Sequence, residues 1–266
     1  MPSIVQQRII QLPVPLIIAV GLGLALFGLT VLALAARPHP GSRNVLLISL
    51  LDFGWILLTA PLALTPLAQT PVAKTIIIAI ALAVGTFAIL QIRTIDKSLF
   101  LNDRLRQICF TVVTETPAIT MWNRLSDIGN IANYIPDLAE SRLVHGTTLE
   151  VGACRECRDV ANQKWQETCT EVTGQAFTLR FHTEAPDYPY PLQNMHGGWI
   201  VEDHNLGSLT TVWWTAEAKS KLPPSILFLA MAAKAERSVP IIVHCLSQGQ
   251  KASISKTKRL PKANFC

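Results

Sequence analysis

Four side chains after residue 106 have the chemistry of general acids or bases. They are two carboxyl groups and two imidazoles, at Asp127, Glu167, His182 and His196. Such groups transfer protons when a fold brings them into one pocket. The sequence has no Ser/His/Asp or Cys/His signature, no phosphate-binding glycine loop and no dinucleotide fingerprint, and its histidines lack metal-ligand spacing. We therefore predict no metal and no cofactor, and leave the catalytic residue, if any, open among these four.

The six cysteines are spread along a chain that is too long to depend on disulfides. We predict that all six are reduced thiols. Cys154 and Cys157 form a CxxC pair, but no second pair follows and no βαβ redox context surrounds it. We therefore interpret the pair as two residues of one strand and not as a metal or redox site.

The composition divides the chain into an apolar first part and a globular second part. Hydrophobic residues make up 50% of the sequence and charged residues 15%, which is too apolar for an ordinary soluble protein. The excess lies in three runs, each long enough to cross a bilayer as a helix. We predict spans at about 15–36, 45–65 and 72–92 within a membrane region 1–101, then a soluble domain 102–250 and a basic, disordered tail 251–266.

Basic residues give the predicted orientation of these spans. Arg37 and Arg43 lie in the first connection and four more basic residues follow the third run, whereas the second connection offers only Lys74. The positive-inside rule then places the amino terminus outside and the soluble domain in the cytoplasm, where thiols stay reduced. Asp52, the acidic residue inside a span, is either a functional carboxylate or a group that reaches water or a basic partner.

The net charge of +5 does not indicate a nucleic acid partner. The whole excess lies in the first 106 residues, and the tail from Lys251 holds five further basic residues and no acidic ones. The folded part of the soluble domain is therefore acidic. Because an acidic surface repels phosphates, we predict no binding to nucleic acid.

Hydrophobic periodicity predicts an α+β domain after the spans. A strand at Gln107–Glu115 is followed by a short helix starting at Pro117, and a long helix from Ser225 to about Gln248 closes the domain. Between the helices, alternating runs separated by turn residues predict an antiparallel meander. Its strands are Ser141–His145, Ala153–Asp159, Lys164–Val172, Ala176–Thr183, Gly197–Asp203 and Ser208–Ala216.

Several stretches of this domain resemble a known superfamily. They are MWNRLSDIGNIANYIPDL from Met121, VGACRECRD from Val151, WQETCTEV from Trp165, GGWIVEDHNLGSLTTVWW from Gly197, and the last helix. Together they resemble the helix-grip superfamily called SRPBCC, which includes START-type lipid-binding domains and the polyketide cyclase/dehydrase branch. The resemblance spans roughly residues 106–250. It implies a six- or seven-stranded antiparallel sheet that grips the last helix, with a hydrophobic ligand held between them.

The resemblance also implies which side chains line that space. The candidates for ligand contact are Tyr134, Phe177, Leu179, Phe181, Met195, Trp199, Trp213, Phe228 and Met231. The alternative is that these side chains only fill the core. Arg155 and Glu167 match positions where the family often has an arginine and a glutamate on neighbouring strands, and a cross-strand ion pair is the simplest explanation for them.

Three functions remain open from the sequence. The leading hypothesis is a domain that binds a lipid or another hydrophobic small molecule, held by its own helices at the cytoplasmic face of the bilayer. The second is a cyclase- or dehydratase-like enzyme that uses one of the four acid or base candidates. The third is a membrane-assembly or protein-interaction module, which would show an exposed apolar patch instead of a pocket.

Overall fold

The computed structural model describes residues 14–36, 41–59, 61, 64, 71–99, 101–102, 104–219, 223–251 and 260–266. Parts of the predicted connections, at 37–40 and 65–70, and most of the predicted tail, at 252–259, lie outside these residues. The chain divides into two compact units, residues 1–98 and 99–266.

The first unit is helical where the structure describes it. Its long helices are α1 (Val14–Ala35), α2 (Ser42–Thr59) and α3 (Pro71–Ser98). By length and composition, α2 and the Lys74–Thr94 stretch of α3 could each cross a membrane, whereas the apolar stretch of α1, Gly21–Leu34, is shorter. Two helices with the length of membrane spans are thus present. The three-span arrangement and its orientation stay predictions.

The second unit has the predicted α+β fold. Its eight antiparallel strands form one sheet in the order β2-β3-β4-β5-β6-β7-β1-β8. The strands are β1 (Arg106–Thr114), β2 (Leu138–His145), β3 (Cys154–Asp159), β4 (Lys164–Thr173), β5 (Ala176–Phe181), β6 (Leu192–His204), β7 (Gly207–Ala218) and β8 (Ala263–Phe265). The helices are α4 (Ala118–Leu125), a 3₁₀ turn (Ile131–Asn133) and α5 (Pro224–Gln248). All seven predicted strands are present, and β8 is an addition.

Alternating side chains explain the two faces of this sheet. Along β1 burial alternates strictly, so that Ile108, Phe110 and Val112 enter the core while their neighbours point outward. Helix α5 packs over β1, β7 and β8, and α4 packs over β6 and β7. The core therefore lies between the helices and one end of the sheet.

The end of α5 is fixed by a side chain from α4. Arg124 donates hydrogen bonds to the carbonyl oxygens of Leu246 and Ser247, the latter at 2.8 Å. These are carbonyls that the last turn of a helix leaves without an internal partner. Gly249 ends the helix in the left-handed region, with φ of 75°. A Cβ atom there would lie 2.8 Å from the Arg124 guanidinium, so glycine suits the position in two ways.

The prediction of six reduced cysteines is wrong, because Cys109 of β1 forms a disulfide with Cys266. The two residues are 157 positions apart in the sequence and meet because β8 pairs with β1. Residues 263–265 of the predicted disordered tail are accordingly a strand. Disulfides are rare in reducing compartments, so the thiol argument for a cytoplasmic domain no longer holds. The other four cysteines are free, and three of them are buried.

Removing this disulfide tests its contribution to stability. Because it closes a loop of 157 residues, we expect Cys266→Ser to lower the free energy of unfolding by about 3–5 kcal/mol. Urea unfolding of residues 99–266 would measure the loss, with Cys154→Ser, a free and half-buried cysteine, as the control. A reducing agent should lower the wild type to the level of the variant. Equal stability of wild type and Cys266→Ser without reductant would contradict the bond.

Candidate functional site

A cavity of about 380 Å³ opens on the concave face of the sheet. It lies where the two helices leave the sheet uncovered, because α5 packs toward β1, β7 and β8. Residues of β2 to β7, α5 and three loops line it: Ile135, Asp137, Leu138, Arg155, Cys157, Asp159, Val160, Ala161, Trp165, Glu167, Leu179, Phe181, Tyr190, Gly197, Gly198, Trp199, Trp214, Lys234 and Ile242. Its size lies within the range of small-molecule pockets, roughly 300–1,000 Å³.

Two adjacent glycines in β6 let aromatic rings lie close against the strand. A Cβ atom on Gly197 would lie 2.7 Å from Cδ1 of Trp214 and 3.3 Å from a ring carbon of Phe181, both of which line the cavity. On the opposite face, a Cβ atom on Gly198 would lie 2.8 Å from the ring of Trp213. A larger residue at either position would displace the neighbouring rings. At Gly197 the displaced rings of Trp214 and Phe181 would move into the cavity.

The floor of the cavity holds the ion pair predicted between β3 and β4. The Nε and Nη2 atoms of Arg155 donate to Oε2 of Glu167 at 2.8 and 2.5 Å. The Trp165 indole donates to the other oxygen, Oε1, at 2.5 Å. The side chains of Arg155 and Glu167 are only 9% and 3% exposed, so water does little to weaken the attraction. Burial opposes the charged form of Arg155, but Glu167 more than compensates and keeps the pKa of Arg155 above its usual value.

A second polar group lies on the wall. The Tyr190 hydroxyl donates to Oδ2 of Asp159 at 3.0 Å, and the backbone N–H groups of Ala161 and Gln163 donate to Oδ1. The Tyr190 ring meets Trp165 edge-on, with centroids 5.8 Å apart. Burial, and then the nearby carboxylates, raise the pKa of Tyr190, so its hydroxyl stays protonated at neutral pH.

The buried polar groups of the cavity are therefore already paired with each other. Two charged side chains on the lining differ from them, because Asp137 and Lys234 are exposed and have no side-chain bond or ion pair among the described residues. They come from the loop before β2 and from α5. An occupant would therefore meet an apolar interior, a neutralised floor and these two opposite charges at the rim.

Three of the nine predicted lining residues, Leu179, Phe181 and Trp199, line the cavity. The others lie elsewhere. Phe228 and Phe177 are core side chains, Phe177 with its ring 6.1 Å from that of Trp122. Met195 accepts a hydrogen bond from Tyr188, while Tyr134 and Met231 are half-buried outside the lining.

The prediction that Trp213 lines the cavity is wrong. The register pairs Gly197 with Trp214 and Gly198 with Trp213, so Trp214 faces the cavity and Trp213 faces the outside. Trp165 and Tyr190 also line the cavity, although neither was predicted from the sequence. The position of Trp165, two residues before Glu167 on the same strand face, was the signal that could have identified it.

The four acid or base candidates do not meet in one place. Glu167 lies in the cavity. His182 bonds at 2.7 Å to the hydroxyl of Thr168, which alternation places on the opposite face of β4 from Glu167. His196 pairs across the strands with Arg180, also away from the cavity, and burial and that guanidinium lower the pKa of His196. Asp127 lines a separate groove and accepts a hydrogen bond from Asn130 at 3.1 Å.

The CxxC pair does not form a redox or metal site. Cys154 and Cys157 are three residues apart on β3, so their side chains point to opposite faces of the sheet. Only Cys157 lines the cavity, and burial raises its pKa to about 12, which keeps the thiol protonated and a poor nucleophile. Within the described ranges, no group of three or more His, Cys, Asp or Glu side chains could hold a metal ion.

The ion pair gives a stability prediction. We expect Glu167→Gln to lower the free energy of unfolding by about 3–5 kcal/mol, because it leaves the Arg155 charge buried without a partner. Urea unfolding of residues 99–266 would measure the loss. Glu156→Gln is the matched control, since it breaks an Arg–Glu pair between β2 and β3 that water screens. A loss for Glu167→Gln as small as that for the control would contradict the role of the pair.

Comparison with known proteins finds one matching family and several similar solved structures. Residues 108–239 match the family described as polyketide cyclase / dehydrase and lipid transport. No curated protein sequence matches the chain. Similar solved structures include Ara h 8.0201 (12% identity, TM-score 0.43, covering 55% of this chain and 97% of that one). They also include the Zhui aromatase/cyclase from Streptomyces sp. R1128 (16%, 0.45, 55% and 93%) and a Thermobifida fusca protein (17%, 0.43, 54% and 91%). The segment 108–239 is thus a domain of the polyketide cyclase/dehydrase and lipid transport family, with the helix-grip fold that the sequence predicts.

Proposed function

We propose that the second unit binds a lipid or another hydrophobic small molecule in the cavity between its sheet and α5. The observation that carries this proposal is an apolar space of about 380 Å³ whose buried polar groups are paired with each other. A cavity of this kind favours an apolar ligand, because the ligand need not compete for hydrogen bonds that the protein already makes. The exposed Asp137 and Lys234 at the rim suit a polar group on the same ligand.

The helices of the first unit fit a role as a membrane anchor. Large apolar side chains point outward from them, with Leu57 and Leu58 of α2 each 75% exposed and Leu82 of α3 68% exposed. Faces of this kind need an apolar environment, which a bilayer provides. An apolar ligand partitions into the bilayer, so a domain tethered there meets it at a higher local concentration than a free protein would. The side of the membrane on which the domain lies stays open, since the disulfide opposes the predicted cytoplasmic location.

Catalysis by a cyclase- or dehydratase-like reaction is the second candidate, favoured by the family match. Titratable groups do converge in the cavity, with Glu167, Asp159, Tyr190 and Cys157 in its interior and Asp137 and Lys234 at its rim. However, the two interior carboxylates are engaged by Arg155, Tyr190 and backbone N–H groups, and burial holds Cys157 in its neutral form. The geometry therefore supports binding better than proton transfer. The third candidate, an interaction module, predicts an exposed apolar patch near the mouth and no pocket.

Closing the mouth of the cavity tests the proposed binding. Ala161 lies in the exposed turn between β3 and β4 and lines the cavity, so Ala161→Trp can block it without disturbing the core. Ala139→Trp on β2, exposed and outside the lining, is the matched control. The neutral fluorescent probe N-phenyl-1-naphthylamine is titrated into residues 99–266. We expect Ala161→Trp to weaken binding at least about ten-fold, through lost burial of the apolar probe.

The control variant should bind like the wild type, and circular dichroism should show the same fold for all three proteins. If the wild type gave no more probe fluorescence than Ala161→Trp does, the proposed ligand cavity would be wrong.

A further inference from the structure

The two edges of the sheet in the second unit differ. Strand β8 pairs with β1 and covers part of one edge, whereas β2 is the last strand at the other edge. Among the described residues, the backbone of residues 139–145 bonds to no segment other than β3. An edge strand carries a row of unpaired N–H and C=O groups that can pair with another strand. The β2 edge is therefore open to a partner.

Little in the sequence or shape of β2 blocks such pairing. The strand contains neither proline nor lysine, two residues that commonly protect an edge. Its register with β3 is irregular only near its ends, between Leu138 and Glu140 and between Leu143 and His145. Five of its eight side chains are exposed, which agrees with an edge that the chain itself does not cover. The regular centre of β2, residues 140–143, can accept a neighbouring strand.

The outer face of β2 carries two charges of opposite sign, and each keeps unused bonding capacity. Arg142 donates from Nε and Nη2 to Oε1 of Glu156 on β3, at 3.2 and 2.8 Å. Glu140 accepts at Oε2 from Arg158, at 3.2 and 2.9 Å. The Arg142 side chain is 60% exposed and that of Glu140 is 47% exposed. Within the described part of the chain, Nη1 of Arg142 and Oε1 of Glu140 have no partner, so a further partner can use them.

A second copy of β2 fits these charges in one register. When a twofold axis relates two antiparallel strands, opposite residues lie on the same face of the sheet, so the axis must pass through a residue. An axis at Glu140 or at Arg142 would place a charge opposite its own copy. An axis at Leu143 would place Arg142 opposite the apolar Val144. Of the four central positions, only Ser141 pairs opposite charges, because Glu140 of each copy then lies opposite Arg142 of the other.

We propose that β2 is a dimer interface and that its partner is β2 of a second copy of this chain, antiparallel about Ser141. Two rows of side chains then cross the interface on the outer face, and the charges alternate in sign along each row. One row consists of Arg158 and Glu140 of one copy, followed by Arg142 and Glu156 of the other. Opposite charges on directly opposed residues stabilise a strand pair, and like charges destabilise it.

The second copy satisfies both the backbone and the side chains of this edge. Pairing over residues 139–143 would add about four to six backbone hydrogen bonds. A strand of another protein could make these bonds, but it would match the side chains only if it carried the same alternation of charge. Because the axis is perpendicular to the sheet, both concave faces lie on one side of the joined sheet. Residues 139–143 do not line the cavity, so the interface leaves it open.

Two charge-reversal variants of the full-length chain in detergent test the proposal. In Arg142→Glu two acidic residues oppose each other across the interface, and in Glu140→Arg two basic residues do. We expect each variant alone to self-associate at least about ten-fold more weakly than the wild type. A mixture of the two variants should associate like the wild type, because both opposed pairs again have opposite charges. The readout is the fraction of one affinity-tagged copy that co-purifies with a copy carrying a different tag.

The matched control is Arg180→Glu, which breaks an exposed ion pair with Glu184 away from β2 and should associate like the wild type. Each mutated copy carries the same internal defect alone and in the mixture, so recovery in the mixture reports the interface. A monomeric wild type would overturn the proposal and leave the edge to a strand of another protein. Equal co-purification of the wild type and both single variants, or a mixture no better than either variant, would also overturn it.

Cysteine cross-linking checks the register without reversing a charge. Under mild oxidation, Glu140→Cys and Arg142→Cys should cross-link to each other several-fold faster than either does to itself. Directly opposed residues of an antiparallel pair are close enough for a disulfide, whereas diagonal residues are farther apart. Equal rates for all three combinations would contradict an axis at Ser141.

Discussion

A single helix cannot cover the concave face of an eight-stranded sheet, and the form of the second unit follows from this constraint. Helix α5 packs over β1, β7 and β8, where Phe228 and Val243 are fully buried. Part of the concave face from β3 to β6 is then left without a helix packed directly on it, and its apolar side chains line the cavity. The protein does not fill this region with its own side chains, and the cavity is the result.

The ion pair under the cavity offsets the free-energy cost of a charged side chain that is buried beside an open apolar interior. Without Glu167, the Arg155 guanidinium would be a buried charge beside empty apolar space. With it, and with the Trp165 indole on the second oxygen, each polar atom of the carboxylate has a donor. Asp159 and Tyr190 are satisfied in the same way on the wall. The polar groups thus shape the cavity, but their hydrogen bonds are made within the protein. This arrangement suits the binding of a ligand better than catalysis on it.

Local pattern explains what could be predicted from the sequence. The seven strands and the last helix are encoded by alternation, turn residues and prolines within each segment, and the structure confirms them. The Cys109–Cys266 bond could not be predicted, because it depends on two segments 157 residues apart becoming neighbours. The same limit applies to the site. Trp213 and Trp214 are adjacent and chemically equal, and only the register with Gly197 and Gly198 decides which one faces the cavity.

An experimental structure of the full chain, purified from membranes without added ligand, would show most directly whether the cavity holds a ligand. We expect density for an apolar molecule against Trp199 and Trp214, above an intact Arg155–Glu167 pair. A space filled by rearranged side chains of the protein itself, with Trp214 turned inward and no room for a ligand, would contradict it.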